Sequence, residues 1–178
     1  MKGDGWTIVI LVSLKILIEA TTIKGSDQWK NYGDKQYLLI KEKMSWFDAQ
    51  VVCQSYGGRL AHAKSKSINA FLISLTDESN YTWLGGTDIH KEGDWKWINP
   101  ETAMTFTYWS PKGPQPNGGH SANCLCYWES NVGYMWADDP CSDKFMALCE
   151  RTNQAYQRPT DECTQGGNNQ EKCMRIYI

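Results

Sequence analysis

Seven cysteines, six of them beyond residue 120, constrain this chain more than any other feature. In an oxidising compartment such residues form disulfides first and anything else second. Zinc ligation fails on spacing, because no pair with two to four residues between its members is followed by a second such pair. Cys124 and Cys126 have only Leu125 between them and would make a strained mutual bridge, and an odd total leaves at least one thiol without an internal partner. The oxidising compartment is itself expected from residues 1–20, which read as a signal peptide: Lys2 near the start, an apolar run from Trp6 to Leu14, and the small Ala20 at the cleavage point. Because a bilayer span takes roughly 20 apolar residues, the run ending before Lys15 is too short for one. The expectation is a secreted, extracellular protein with no membrane span after cleavage.

The remaining length suits one ordinary globular domain with a real core. A formal charge of -2, with no block of like charge, argues against a nucleic-acid surface. Residues 21–28 form a polar lead-in, 29–151 the domain, and 152–178 a polar, cysteine-containing tail. Within the domain, Gln36 to Ile40 reads as a strand. The following MSWFDAQVVCQSYGG reads as a helix, with Ser45 as N-cap, Asp48 three residues later, and Gly57–Gly58 as the stop. Ala49, Val52, Cys53 and Tyr56 share one face, so Cys53 is expected to be buried. A second helix, capped by Ser67, is marked by Ile68, Phe71, Leu72 and Leu75. Beyond Asn80 the pattern turns extended: YTWLGG, GDWKWIN, FTYWS, CLCYW, YMWADD and FMALCE. Two helices followed by several short strands predict an α+β domain.

One segment, PKGPQPNGGHSANC (Pro111 to Cys124), reads as a stiff surface loop, since proline fixes φ and removes a donor while Gly and Asn favour turns. It holds two side-chain amides, Gln115 and Asn117, on either side of Pro116. Together with AQVVCQSYGGRLA, TWLGG, WKW, FTYWS, NCLCY, WADDPC and MALCER, in this order and spacing, it resembles the C-type lectin-like domain family over about Trp29 to Arg151. The resemblance implies a lectin-like fold of two helices with small antiparallel sheets and a long ligand-binding loop, stapled by Cys53–Cys149 and Cys124–Cys141. Cys126, Cys163 and Cys173 then remain. The simplest assignment is a Cys163–Cys173 tail loop with Cys126 free or bonded to a second copy of the chain; the rival pairs Cys126 with one tail cysteine.

The resemblance also implies a calcium ion in the long loop whose shell is completed by two sugar hydroxyls, since Ca2+ takes six to eight oxygens. The tripeptide here is QPN, neither the EPN nor the QPD that the family commonly carries. Two of five usual side-chain ligands are replaced, by Ala122 and Ala137, which leaves Gln115, Asn117 and Asp138 with a single carboxylate among them. Ser121, Asn123, Glu129 and Asp139 could substitute, and Asn123 joins the carbohydrate contacts on the ground that a one-residue shift of the loop brings it inward. Asp88 and Glu92 are the candidates for a second, structural ion. A surface carboxylate in a loop is usually only solvated, and Gln and Asn in a Pro-rich loop often serve as turn caps.

The function expected is a carbohydrate-binding lectin with weak or degenerate calcium dependence, its partners carbohydrate or glycoprotein in a defence setting. The alternative is a calcium-independent protein-binding domain, disulfide-linked through Cys126. Trp128 and Tyr134 are the aromatics best placed to stack on a sugar face. An enzyme is not expected: His62, His90 and His120 are scattered, and Ser121 beside His120 has no third partner. Asn80, Tyr81 and Thr82 form an N-glycosylation sequon at a surface turn.

Overall fold

The computed structural model describes residues 28–77, 79–130, 133–154, 160–166 and 170–176. The expected signal peptide and nearly all of the lead-in lie outside the described residues. Strand β1 (Lys30–Tyr32) turns through Gly33 into the long β2 (Lys35–Met44), followed by helix α1 (Trp46–Ser55), strand β3 (Arg59–Leu60) and helix α2 (Lys66–Leu75). Strands β4 (Thr82–Thr87), β5 (Lys96–Trp97) and β6 (Thr102–Ala103) precede the long loop, and β7 (Cys124–Ser130), β8 (Gly133–Asp139) and β9 (Phe145–Thr152) follow it. Among the described residues these nine strands form one sheet in the order β1-β2-β9-β4-β5-β6, with β3 on β9 and the β7–β8 hairpin on β4. Strand β9 pairs antiparallel with β2 and parallel with β4, so the chain's end is woven into its middle.

Local chemistry accounts for both helices. Ser45 caps α1 by accepting from the Asp48 N–H, and the helix ends before Gly57, whose φ of +74° an L side chain rarely adopts. Gly58 has a different duty: a Cβ there would stand 2.3 Å from the Glu150 carbonyl oxygen, so only glycine lets β3 approach β9. The cap of α2 is Ser65 rather than the expected Ser67. Ser65 has the extended conformation of a cap and its Oγ reaches the Ile68 N–H at 3.2 Å, which leaves Ser67 inside the first turn. The expected strand FTYWS is reduced to a bridge between Trp109 and Trp136, because the loop docks there through backbone bonds rather than as a ladder.

The central strands β4, β7 and β9 are buried on both faces over most of their described length, which explains their continuous apolar character. Alternation along β7 sends Cys124 and Cys126 toward the cluster built on α1, and Leu125 and Tyr127 toward the cluster containing Leu72 of α2. Trp83 and Leu84 divide in the same way on β4. Of the four α1 residues expected to share a buried face, Ala49 and Cys53 are buried, while Val52 and Tyr56 pack against the cluster partly exposed.

Cys53 is bonded to Cys149 across 96 residues, and Cys124 to Cys141 across 17. In the chain-entropy account a loop of the first size is worth ~4.7 kcal/mol. Cys126 is free, fully buried and 3.1 Å from the Asp139 carboxylate. It therefore does not join two copies of the chain, nor is it bonded to a tail cysteine, because strand alternation turns it into the core beside α1. Beyond the domain, β10 (Thr160–Gly166) and β11 (Gln170–Ile176) pair antiparallel with Cys163 opposite Cys173.

Candidate functional site

The long loop is fastened to β8 at successive points. The Trp136 N–H donates to the Tyr108 carbonyl at 3.0 Å, the Ser110 N–H to the Trp136 carbonyl at 2.9 Å, and the Gln115 N–H to the Ser110 carbonyl at 3.0 Å. Under this seam Trp136 is fully buried, with the rings of Trp97, Phe106 and Trp109 standing edge-on at 5.6 to 5.7 Å. Its indole N–H donates to Asn69 Oδ1 at 2.9 Å, and the Tyr127 hydroxyl donates to the same oxygen at 2.7 Å. Asn69 is a buried polar residue of α2, so one amide oxygen joins the helix to the two strands that carry the loop. The apolar spacing of α2 hides this residue; an Asn between Ile68 and Ala70, three residues before the buried Leu72, is the available signal.

The second fastening is Asp138. It is 7% exposed, and its two carboxylate oxygens accept the backbone N–H groups of Asn117 at 2.9 Å and Gly118 at 2.8 Å. Gly118 is required for that approach, because a Cβ there would lie 2.2 Å from the Ala122 Cβ and 3.1 Å from Asp138 Oδ2. The loop backbone thus lies against Ala122, where a longer side chain is usual in proteins of this resemblance. Asp138 is joined directly to Asn117 and Gly118, with Gln115 two residues before Asn117 in the same loop. The Gln115–Pro116 bond is cis, and Gln115 Oε1 is buried without a partner among the described residues. The Asn117 amide nitrogen donates to the Gly113 carbonyl, leaving Oδ1 as the acceptor of an exposed side chain. Asn123 stands apart from these three: its side chain donates to the His120 carbonyl at 3.0 Å while its own carbonyl accepts from Thr87 Oγ1 and the Asp88 N–H.

The calcium shell implied by the resemblance does not fit this donor set. The one carboxylate has both oxygens committed to N–H groups, and one of the two amide oxygens is turned inward. Asp139 does not substitute, because it faces the opposite way on β8 and accepts from Cys126; burial, with further help from Asp143 and Asp138, raises its carboxyl above the usual range. Among the described residues no group of three or more His, Cys, Asp or Glu side chains gathers to hold a metal ion. Asp88 is not the solvated surface acid that its loop position suggests. It is 3% exposed, with Oδ2 accepting from the Gly93 N–H at 2.8 Å and Oδ1 buried without a partner, and burial raises its carboxyl. Its companion Glu92 stands 3.3 Å from the His120 ring.

Both flanking aromatics are tied into the fold. Tyr134 is buried, its hydroxyl in reach of the Asn80 carbonyl and 3.0 Å from Thr82 Oγ1, and the half-buried Trp128 donates to the Tyr81 hydroxyl at 2.6 Å. Asn80 itself is half-buried, with its amide nitrogen 3.1 Å from Asp77 Oδ2. Of the three scattered histidines, His62 is a buried packing residue beside the ion-paired Glu150.

With this geometry in place, comparison with known proteins is informative. The Lectin C-type domain family matches residues 42–151. A perlucin-like protein from Mytilus galloprovincialis is 32% identical over 127 residues, 68% of this chain and 79% of the relative. Lectin BRA-3 from Megabalanus rosa is 34% identical over 144 residues, 80% of this chain and 86% of the relative. Among solved structures, a Ca2+-dependent type II antifreeze protein in its Ca2+-free form is similar with a TM-score of 0.63 at 30% identity, covering 70% of this chain and 97% of that one. The mouse scavenger receptor C-type lectin carbohydrate-recognition domain is similar with a TM-score of 0.64 at 25% identity, covering 70% and 95%. The matched span includes α1, both disulfides and the loop on β8, and the chain belongs to the C-type lectin domain family.

Proposed function

We propose that the chain is a secreted carbohydrate-binding C-type lectin whose 29–151 domain engages sugar hydroxyls through Gln115, Asn117 and Asn123 on a loop that Asp138 holds in place, with little dependence on calcium. One observation carries the reading: both oxygens of the Asp138 carboxylate accept backbone N–H groups of the QPN loop, so the loop is braced by the protein itself. Amide oxygens accept from sugar hydroxyls and amide nitrogens donate to them, with Asn117 Oδ1 the open acceptor here, and the charge-assisted bonds that the loop N–H groups donate to the Asp138 carboxylate are among the stronger ones. The names of a lectin and of a carbohydrate-recognition domain among the relatives support the ligand class.

The test is a glycan screen of the oxidised full chain, run once in millimolar calcium and once in chelator. The same sugars bound under both conditions, with binding lost in Asn117→Ala, is the expected result. Sugar binding seen only with calcium would overturn the calcium-independent reading, and no sugar bound under either condition would overturn the carbohydrate reading.

Protein binding is the second reading, favoured by Phe47 and Val51, which are 52% and 65% exposed and lie one helical turn apart on α1. Two modifications accompany the proposal: N-linked glycan at Asn80, and a bridge from Cys163 to Cys173, whose positions are opposed in the β10–β11 register. Non-reducing peptide mapping should recover the two tail cysteines in one linked species, and deglycosylation should lower the mass of the wild type but not of Asn80→Gln.

A further inference from the structure

Away from the loop, β2, β3, β9 and the turn after α1 enclose a cleft of about 280 Å³, lined by Lys35, Arg59, Arg151, Gln54, Asn99 and Glu150 among others. Its chemistry is lopsided. Three cations line it against one carboxylate, and that carboxylate is turned to the inside: Glu150 is 1% exposed, and its Oε2 accepts the buried His62 N–H at 3.1 Å. Its Oε1 takes Lys35 Nζ and Arg59 Nη2 together, each at 2.6 Å. One negative charge therefore answers two positive side chains that remain 25% exposed.

Arg151 adds a third cation. Its guanidinium lies 3.9 Å over the Trp29 ring, with Nε held by Gln36 Oε1 at 2.9 Å and Nη1 by the Tyr56 carbonyl at 3.3 Å. Those contacts fix its plane and leave Nη2 without a partner among the described residues. Lys64 senses the surplus: desolvation, then Lys35 and Arg59, hold its ammonium below the ordinary lysine range, and Glu150 only partly opposes them. The whole chain carries a formal charge of -2, so general attraction does not draw polyanions to it. The positive field is local to this cleft. Its volume, near the lower end of small-molecule pockets, exceeds what one inorganic ion fills and suits an ester group with part of the body that bears it.

We propose that this cleft is a second ligand site, where Lys35, Arg59 and Arg151 receive the sulfate or phosphate ester of an anionic saccharide. Arg59, whose Nε and Nη2 hold Glu150 and whose Nη1 donates to the Asn99 carbonyl at 2.8 Å, contributes charge, while Arg151 Nη2 supplies a donor and Lys35 a point charge. None of these residues belongs to the QPN loop, so the site stands or falls separately from the sugar reading given above.

The experiment titrates the full oxidised chain with a sulfated oligosaccharide, with its desulfated parent and with inorganic sulfate, alongside variants verified by thermal melts. Expected are saturable binding of the sulfated form that weakens as salt rises, a loss of roughly tenfold in Lys35→Gln, recovery in Lys35→Arg, and a smaller loss in the exposed Lys64→Gln. Lys144→Gln, which lies outside the cleft lining, pairs with Asp48 and is 60% exposed, should bind as the wild type does. Equal binding of the desulfated parent overturns the proposal, as does a loss in Lys144→Gln matching that in Lys35→Gln, which would mean diffuse attraction. Inorganic sulfate binding as tightly as the oligosaccharide would reduce the cleft to an ion site and equally overturn it. Should Lys35→Gln fail to fold, undiminished binding in Arg151→Gln decides against the proposal.

Discussion

His62→Gln should remove most of the chain's acid sensitivity between pH 7.5 and pH 5. The His62 ring is 1% exposed and stacks on Trp97 at 5.1 Å, with its Nε2 2.7 Å from the Ile98 carbonyl. A carbonyl only accepts, so the neutral ring carries its proton on Nε2, and Nδ1 is buried with no partner. A second proton would have to sit there, buried and unpaired among the described residues. Desolvation therefore depresses the imidazole to about 4, with Arg59 adding to the effect and Glu150 opposing it. The unfolded chain takes up the proton near 6.5. Between these values the unfolded state holds more protons than the folded one, so stability rises with pH and is lost as pH falls. From pH 7.5 to pH 5 the linkage amounts to about 2 kcal/mol. Glu150, raised by burial but brought net below the usual carboxylate range by Lys35 and the His62 N–H, loses its contribution only below its unfolded value and so outside this window. Urea unfolding with the disulfides intact, at several pH values, measures the difference. The wild type should lose about 2 kcal/mol more than His62→Gln, whose side chain can still donate to Ile98. Parallel losses in the two proteins would refute the reasoning, as would a wild type whose stability is flat across the window.

Gly118→Ala should displace the loop, since its Cβ would collide with Ala122; a stability loss of about 1–3 kcal/mol by urea unfolding and a larger proportional loss of sugar binding are expected. Asn69→Leu strands the Tyr127 hydroxyl and the Trp136 indole N–H in the core and should cost about 3 kcal/mol in the same assay. Asp138→Ala leaves two loop N–H groups without their acceptor and should cost about 3 kcal/mol while increasing amide hydrogen exchange at Asn117 and Gly118. Cys126 should resist alkylation in the native protein and react after denaturation, because burial foremost, and then Asp139, push its thiol well up.

Much of the fold is legible because its signals are local or carried by the spacing of a whole family. The cap at Ser45, the Gly57 stop and the period change after Asn80 each report a short-range preference, and the order of the motifs implies both disulfides. The illegible parts depend on partners far away in the chain. Asn69 reads as a gap in an apolar helix until Tyr127 and Trp136 are folded onto it. Nothing local to Arg59 or Lys35 marks their partner, a carboxylate 91 and 115 residues away that binds both. Cys126 reads as spare, and only the alternation of β7 shows that it faces the core. At the loop, the use to which Asp138 is put is not legible in the sequence, since it rests on how closely Gly118 lets the backbone approach.

The directions taken by the acids explain why the loop can stand without an ion. A calcium site needs several charged oxygens converging on one point, whereas here they diverge. On β8, neighbouring residues face opposite sides, so Asp138 reaches the loop N–H groups and Asp139 reaches Cys126. Asp88 gives one oxygen to the Gly93 N–H, and Glu92 meets His120 at the surface. Carboxylates that could have answered a cation are answered by protons of the protein instead. Sugar recognition on such a loop rests on neutral hydrogen bonds, each worth about 1 kcal/mol net, so a single loop contact is weak. A charged ester held in the Lys35–Arg59–Arg151 cleft would add a second point of attachment on the same chain, and a ligand long enough to reach both would gain through effective concentration rather than through any stronger contact at the loop.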